Sequence, residues 1–244
     1  MGRLTDAVKH LLIINVLLFI ATQIYQEQML TWFSLWYPEN PNFEWWQIIT
    51  HMFMHGGFFH IAFNMYALWA FGTPLEQMWG RNKFLFFYFS AGIGAALLHT
   101  GVNYYVFHDG LQALVDQGVD ENQVMEIIAG GQYSPAWNDL IGADKVNSLL
   151  SAFNTPAVGA SGAIYGILVA FAFAFSEAEL MLIFLPIPIK AKYFVPLLIA
   201  GDLIFGFTGA ATGIAHFAHI GGAIAGFIMM WFWKKNDLNT KRWN

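Results

Sequence analysis

The sequence contains no cysteine, so this chain has neither disulfide bonds nor thiolate metal sites. Charged residues are also scarce, at 11% of the 244 residues, whereas soluble domains carry about 25%. The His-Glu-x-x-His motif of zinc proteases does not occur. Apolar residues make up 57% of the chain. This composition excludes an ordinary soluble domain and indicates a membrane protein.

Six apolar segments have about the length, near 20 residues, that crosses a hydrocarbon core of about 30 Å. They are approximately residues 11–25, 58–79, 84–106, 161–176, 193–207 and 214–233. Arg3 and Lys9 precede the first segment, as in a signal peptide, but no clear Ala-x-Ala site follows, so we interpret it as a retained span. We therefore predict an all-α membrane protein, with one domain over residues 1–244.

The basic residues predict the orientation, because they concentrate in cytoplasmic segments. With the N-terminus in the cytoplasm, ten of the eleven basic residues are cytoplasmic, and only Lys145 is outside. The ten are Arg3, Lys9, Arg81, Lys83, Lys190, Lys192, Lys234, Lys235, Lys241 and Arg242. Both termini are then cytoplasmic, and a bacterial plasma membrane is the expected location.

Two outer connections are long. The outer loop, residues 27–57, is rich in aromatic residues of the kind found at membrane interfaces. The outer insert, residues 108–156, holds seven acidic residues and one lysine, and its helical periodicity predicts one or two short helices. The spans show no convincing inverted repeat, which weakens a transporter interpretation.

Ionisable residues inside apolar spans are costly and are functional candidates by default. Together with nearby polar residues, the candidates are His60, Asn64, Glu76, His99, Ser161, Tyr165, Asp202, His216 and His219. Of these, we expect His99 and His216 to be satisfied within the bundle. We expect Glu76 to cap and pack the inner end of the second span.

A rise of about 1.5 Å per helical residue gives each candidate a depth. Counted from the first charged residue at the cytoplasmic end of its span, Ser161 lies roughly 24 Å up, His219 about 22 Å and Asn64 roughly 26 Å. Asp202 lies about 15 Å up, which predicts that it is too deep to orient His219. Three polar residues therefore share one height, slightly below the outer edge of the core.

Small residues lie near Ser161 and His219, two of the three polar residues at this height. Gly159, Gly162 and Gly166 lie around Ser161, and Gly222 and Gly226 follow His219, so the two helices can approach closely. Packing alone explains such glycines equally well. A close approach would permit a Ser–His hydrogen bond, with the imidazole as base and acyl transfer to serine as the chemistry. Asn64, His60 and the unpaired N–H groups where the Ser161 helix begins are candidate oxyanion donors.

Four motifs resemble those of the rhomboid family of intramembrane serine proteases, in the family's order and over most of the chain. They are HGGFFHIAFN (55–64), GTPLEQMWG (72–80), GASGAIYG (159–166) and AHIGGAIAG (218–226). The resemblance implies a six-helix rhomboid bundle and a Ser–His dyad without an acid, with Ser161 as nucleophile and His219 as base. His60, Asn64 and Gly159 would form or support the oxyanion hole, and Tyr165 would pack beneath His219.

The resemblance also implies the partners: single-span or other transmembrane protein substrates in the lipid bilayer, cut near the outer end of their span, with lateral access near the second and fifth spans. It implies no cofactor, metal or nucleic acid. One departure is that Gln47 follows Trp46 where the family often has arginine, which questions any ionic anchoring of the outer loop.

The sequence is also compatible with other functions. His51-x-x-x-His55 with His60 is compatible with a metal site on one helical face. An aspartyl intramembrane protease needs two deep aspartates, and only Asp202 qualifies. The main alternative is an inactive rhomboid-like protein that binds transmembrane clients, although such proteins lose the dyad and this chain has both residues.

Overall fold

The computed structural model describes residues 4–182, 185–208, 215–238 and 240–243, and this part of the chain is mostly helical. Its α-helices are α1 (Asp6–Ile24), α2 (Gln26–Phe33), α3 (Gln47–Thr50), α4 (Phe58–Ala67), α5 (Thr73–Trp79), α6 (Arg81–Asp116), α7 (Glu121–Ala129), α8 (Trp137–Ile141), α9 (Ala143–Asn154), α10 (Ser161–Ala174), α11 (Ala191–Thr208) and α12 (His216–Lys235). A 3₁₀ turn covers His51–Phe53 and a π-helical turn covers Leu68–Gly72. Two strands, β1 (Glu179–Leu182) and β2 (Leu185–Lys190), form an antiparallel hairpin.

The apolar helices coincide with the predicted spans. By length and composition, four described helices could cross a membrane: α1, α6, α11 and α12. Helix α10 is apolar but shorter, at 14 residues. The segment predicted as the second span is α4, the π-helical turn and α5 in succession. These segments agree with a rhomboid helical bundle, while a count of six spans stays a prediction.

Small residues bring α6, α10 and α12 into direct backbone contact at the centre of the bundle. A Cβ atom on Gly222 would lie 1.8 Å from the Gly162 carbonyl oxygen, and one on Gly226 would lie 2.7 Å from Gly166 Cα. On the other side of α10, a Cβ on Gly162 would lie 2.4 Å from Ala95 Cβ of α6. No side chain larger than hydrogen fits these crossings without movement. This contact fixes the two helices that carry Ser161 and His219.

The outer insert is more structured than one or two short helices. Helix α6 extends to Asp116, about 15 Å beyond the predicted end of its span near residue 106, and α7, α8 and α9 follow. These helices enclose a core of their own, formed by Tyr37, Phe107, Leu111, Leu114, Val124, Ile128, Trp137, Val146, Leu149, Ala152 and Phe153. Because Tyr37 belongs to the outer loop, the insert and this loop pack as one unit.

The connection between α10 and α11 contains the β-hairpin, which the sequence did not predict. Glu179 pairs with Lys190 and Leu180 with Ile189 across the two strands. Beside the hairpin, Glu177 contacts Lys192 at 2.5 Å and Lys190 at 2.9 Å. Hydrogen bonds from these two ammonium groups lower the pKa of the Glu177 carboxyl to about 2.

Glu76 has a different role from the predicted cap of its own span. Its two carboxylate oxygens accept hydrogen bonds from the backbone N–H groups of Ala7 and Val8, at 2.8 and 2.9 Å. These N–H groups belong to the first turn of α1, where they have no partner within the helix. Glu76 therefore caps α1 and ties α5 to it. Glu76 is buried in α5, at the predicted end of the second span, so its packing agrees with the prediction. The helix that it caps could not be predicted, because a cap on another helix leaves no local sequence pattern.

Candidate active site

Ser161 is the first residue of α10, at the end of a loop that is held by backbone hydrogen bonds. Ala157 forms a two-bond antiparallel bridge with Leu35 of the outer loop, with both N···O distances at 2.9 Å. The Gly159 N–H donates to the His51 carbonyl at 2.9 Å. Gly159 has φ of +127°, which side-chain-bearing residues rarely adopt. The turn into α10 therefore requires glycine at this position.

The structure brings Ser161 and His219 together. His219 Nε2 lies 2.9 Å from Ser161 Oγ, within hydrogen-bond distance. Tyr165, one turn after Ser161, stacks on the imidazole with ring centroids 4.2 Å apart and planes 12° apart. The ring of His219 is thus held on one face by an aromatic ring, with a nitrogen directed at the serine.

Asp202 lies in this site, and the expectation that it is too deep to orient His219 is wrong. Its Oδ1 is 3.1 Å from His219 Nδ1, the imidazole nitrogen opposite the one that faces Ser161. The depth count compared Cα heights from different reference charges. Counted from the described outer ends of α11 and α12, Asp202 and His219 differ by about 4.5 Å, which two side chains can span.

Two further side chains contact the Asp202 carboxylate. The Tyr165 hydroxyl donates to Oδ2, and His216 Nδ1 lies 2.5 Å from Oδ1. Asp202 and His216 are both buried, with about 7% of each residue exposed. His216 is therefore satisfied inside the bundle, as expected, but its partner belongs to the candidate site.

His60 and Asn64 lie on α4 at the edge of the same site. A Cβ atom built on Gly159 would lie 2.9 Å from His60 Nε2 and 3.4 Å from Ser161 Oγ, so Gly159 leaves the space between the imidazole and the serine open. Asn64 Nδ2 donates to the His60 carbonyl at 2.8 Å. This bond uses one of the two hydrogens of the Asn64 amide.

A cavity of about 1730 Å³ connects these residues. Its lining includes Ser161, His219, His60 and Asn64, and it reaches Leu180 and Met181 of β1. Since β1 follows the far end of α10, the cavity extends along this helix for about 20 Å. Such a cavity has room for an extended or helical peptide segment and not only for a small molecule.

The three histidines considered as a metal site do not form a cluster of ligand atoms within the described part of the chain. His51 Nδ1 lies 2.8 Å from the Gln47 carbonyl, and the His55 and His60 rings are 5.0 Å apart edge to face. Burial lowers the pKa of His51 to about 4 and that of His55 to about 3, which keeps both neutral. The group whose ligand atoms do lie within 4.8 Å of one another is Asp202, His216 and His219.

His99 was expected to have a hydrogen-bond partner within the bundle. Its Nε2 atom lies 3.1 Å from Asn103 Nδ2.

Gln47 anchors the outer loop without a charge. Its side chain is fully buried, and Nε2 donates to the carbonyls of Thr31 at 3.0 Å and Asn42 at 2.8 Å. Oε1 accepts from the Trp36 N–H at 3.3 Å. A neutral amide can both donate and accept, so it satisfies three backbone groups that a guanidinium, which only donates, could not satisfy together.

A serine hydroxyl beside an imidazole nitrogen, with a carboxylate on the second nitrogen, is an arrangement that activates a nucleophile.

The Rhomboid domain model matches residues 42–115 and 140–236, and the gap between these ranges falls within the outer insert. The chain is 31% identical over 184 residues to "Rhomboid protease GluP" of Bacillus subtilis, covering 75% of this chain and 25% of that protein. It is 28% identical over 188 residues to "Rhomboid protease AarA" of Providencia stuartii, covering 76% and 55%. The chain thus spans about a quarter to about half the length of these relatives.

Proposed function

The chain belongs to the rhomboid family, and from this premise we propose that it is an intramembrane serine endopeptidase with Ser161 as nucleophile and His219 as general base. The observation that carries the proposal is the 2.9 Å contact between Ser161 Oγ and His219 Nε2 beside a peptide-sized cavity. A serine is weakly nucleophilic until a base removes its proton. The relatives named rhomboid proteases support the same chemistry.

In the proposed reaction, Ser161 Oγ attacks the scissile carbonyl carbon while His219 Nε2 takes the hydroxyl proton. Negative charge develops on the carbonyl oxygen, and the Asn64 amide, His60 and backbone N–H groups at the start of α10 are the candidate donors for it. When the C–N bond breaks, His219 returns the proton to the leaving amine. Water then attacks the acyl-enzyme with His219 again as base, which releases the acid and restores Ser161.

The substrates we propose are transmembrane proteins, cleaved near the outer end of their span. Ser161 lies roughly 24 Å above Glu177, toward the outer side of a core about 30 Å thick. The distribution of the basic residues supports cytoplasmic termini, and a bacterial plasma membrane is the location that we propose. The cavity along α10 supports lateral entry between the second and fifth spans.

The alternative is an inactive rhomboid-like protein that binds transmembrane clients. The hydrogen-bonded Ser161–His219 pair favours the enzyme, because client binding alone requires neither residue in this geometry. The test uses protein purified in detergent with a single-span substrate. Ser161→Ala and His219→Ala are expected to abolish cleavage while the protein stays folded.

A fluorophosphonate probe tests the nucleophile independently of substrate binding, because it reacts with an activated serine alone. We expect labelling of Ser161 and none of Ser151, an exposed serine that lines the same cavity. Ser151→Ala is the matched control and should keep the labelling of Ser161. Cleavage by the Ser161→Ala protein would exclude this function, and client binding without cleavage by the unmodified chain would favour the alternative.

A further inference from the structure

Asp202 is a buried carboxylate on a membrane-spanning helix, and such groups need partners because an unpaired charge there is costly. It has three partners on two other helices. The Tyr165 hydroxyl of α10 donates to Oδ2, while His216 Nδ1 and His219 Nδ1 of α12 lie 2.5 and 3.1 Å from Oδ1. The question is whether these bonds only hold the helices together or also act on the base.

We propose that Asp202 is a positioning residue for His219, so that the site works as a chain of hydrogen bonds Ser161–His219–Asp202 rather than as a dyad. The inference rests on the proposed function and deepens it. Asp202 contacts the nitrogen of His219 that does not face the serine, and it therefore acts through the imidazole and not on the substrate.

The contact with Asp202 determines the tautomer of His219. An ionised carboxylate only accepts hydrogen bonds, so the Nδ1 atom that contacts it carries a proton. In neutral imidazole the other nitrogen, Nε2, then has a free lone pair. Nε2 is the atom 2.9 Å from Ser161 Oγ, which is where a base must accept the hydroxyl proton. The carboxylate thus selects the tautomer that can act as base.

Asp202 also stabilises the positive charge that His219 gains during the reaction. Once His219 has taken the serine proton, both ring nitrogens are protonated and the imidazole is positive. Asp202 is buried, so this carboxylate stabilises the cation more strongly than it would in bulk water. The positive charge forms only after proton transfer, so Asp202 contributes to the reacting state more than to the resting enzyme.

Asp202 is itself held in place. The Tyr165 hydroxyl and the His216 ring fix both carboxylate oxygens, and Tyr165 also stacks on the His219 ring. A carboxylate with free rotation would lose the alignment between Oδ1 and Nδ1. His216 and Tyr165 therefore support the carboxylate, and Asp202 orients the base.

The test compares the unmodified protein with Asp202→Asn, measuring cleavage and the rate of fluorophosphonate labelling at Ser161. Asparagine keeps the shape and can donate to Nδ1, which places the proton on Nε2 and removes the lone pair that faces the serine. We expect a fall of kcat and of labelling on the order of 10²- to 10⁴-fold, by comparison with serine proteases that lose this carboxylate. KM should change little. The carboxylate-retaining variant Asp202→Glu should recover part of the loss.

A direct readout of the tautomer is the ¹⁵N NMR spectrum of histidine-labelled protein, with the His219 signals identified by their loss in His219→Asn. The proposal requires protonated Nδ1 and unprotonated Nε2 in the unmodified protein near neutral pH. A neutral ring protonated at Nε2 would overturn it, and this measurement does not depend on any Asp202 variant folding.

The outcomes separate this inference from the proposed function. If Ser161 of the unmodified protein is not labelled and nothing is cleaved, the proposed function fails, whatever Asp202 does. If Ser161 is labelled and a folded Asp202→Asn protein is labelled at the same rate, the enzyme stands and the role of Asp202 is refuted. Slow labelling of folded Asp202→Asn with recovery in Asp202→Glu supports the role.

Discussion

Among the glycines of the described residues, Gly222 is the one at which an added Cβ atom would meet the closest backbone atom. Its Cβ atom would lie 1.8 Å from the Gly162 carbonyl oxygen and 2.6 Å from the carbonyl carbon, while ordinary contact begins at 3.4 Å. Both neighbouring atoms belong to the backbone, so no side-chain rotation relieves the clash. Helices α10 and α12 must therefore separate by about 1.6 Å, the difference between the required and available distances.

This separation acts directly on the candidate site. Gly162 follows Ser161 in the chain, and Gly222 lies three residues after His219, so the clash is within one helical turn of the 2.9 Å hydrogen bond. A shift of about 1 Å at a reacting pair costs about 10² in rate, and forced overpacking costs about 1–3 kcal/mol of stability. In Gly222→Ala, we expect the probe to label Ser161, and the enzyme to cleave substrate, at least about 100-fold more slowly than in the unmodified protein.

The assay is the initial rate of fluorophosphonate labelling, with thermal unfolding in detergent to establish that the variant is folded. Gly101→Ala is the matched control, since a Cβ on this glycine of α6 meets no heavy atom within 4 Å. Its Ser161 should be labelled at the same rate as in the unmodified protein. The variant should be no less stable, because alanine has a higher helix propensity than glycine. A folded Gly222→Ala protein that labels normally would refute the packing of α10 against α12.

Three further predictions concern the supports of the site. Gln47→Leu leaves the carbonyls of Thr31 and Asn42 without their amide donor, so the free energy of unfolding should fall by about 1–3 kcal/mol per unpaired group, measured by denaturation. Glu76→Gln keeps one acceptor for the two N–H groups at the start of α1, and trypsin should then cut near Lys9 faster than in the unmodified protein. Burial lowers the pKa of His51 to about 4, whereas the unfolded chain binds a proton at this residue below about pH 6.5. The free energy of unfolding should therefore decrease as the pH is lowered from about 6.5 to about 4. His51→Gln should reduce that slope in pH-dependent unfolding, and an unchanged slope would contradict the assignment.

The pairing of Ser161 with His219 could be predicted from the sequence because the relevant signals are local. Each residue lies among glycines on its own span, and the count of residues from the cytoplasmic end gives both nearly the same height. Tyr165 could be placed below Ser161 because residues four apart share a helix face. None of these inferences required knowledge of how the helices are arranged.

The extent of the outer insert and the β-hairpin could not be predicted in the same way. The core of the insert joins residues as distant as Tyr37 and Phe153, and only the folded chain brings them together. The segment that forms the hairpin is a short apolar run, in which periodicity does not separate strand from helix. Proline also lies in this segment, and a two-stranded sheet has only edge strands, where proline is tolerated.

Asp202 shows which kind of sequence argument is robust in a membrane protein. The depth count rejected it, because heights measured along separate helices from separate charges ignore tilt, reference offset and the reach of side chains. The family motifs did not include it either, since all four lie outside α11. The rule that a buried ionisable residue in a span must have partners did select it, and three polar partners are present in the structure. That rule concerns the free energy of the charge rather than its position, so it holds without knowing the helix arrangement. For an ionisable residue in a span, the identity of its hydrogen-bond partners is therefore stronger evidence for a role than its depth.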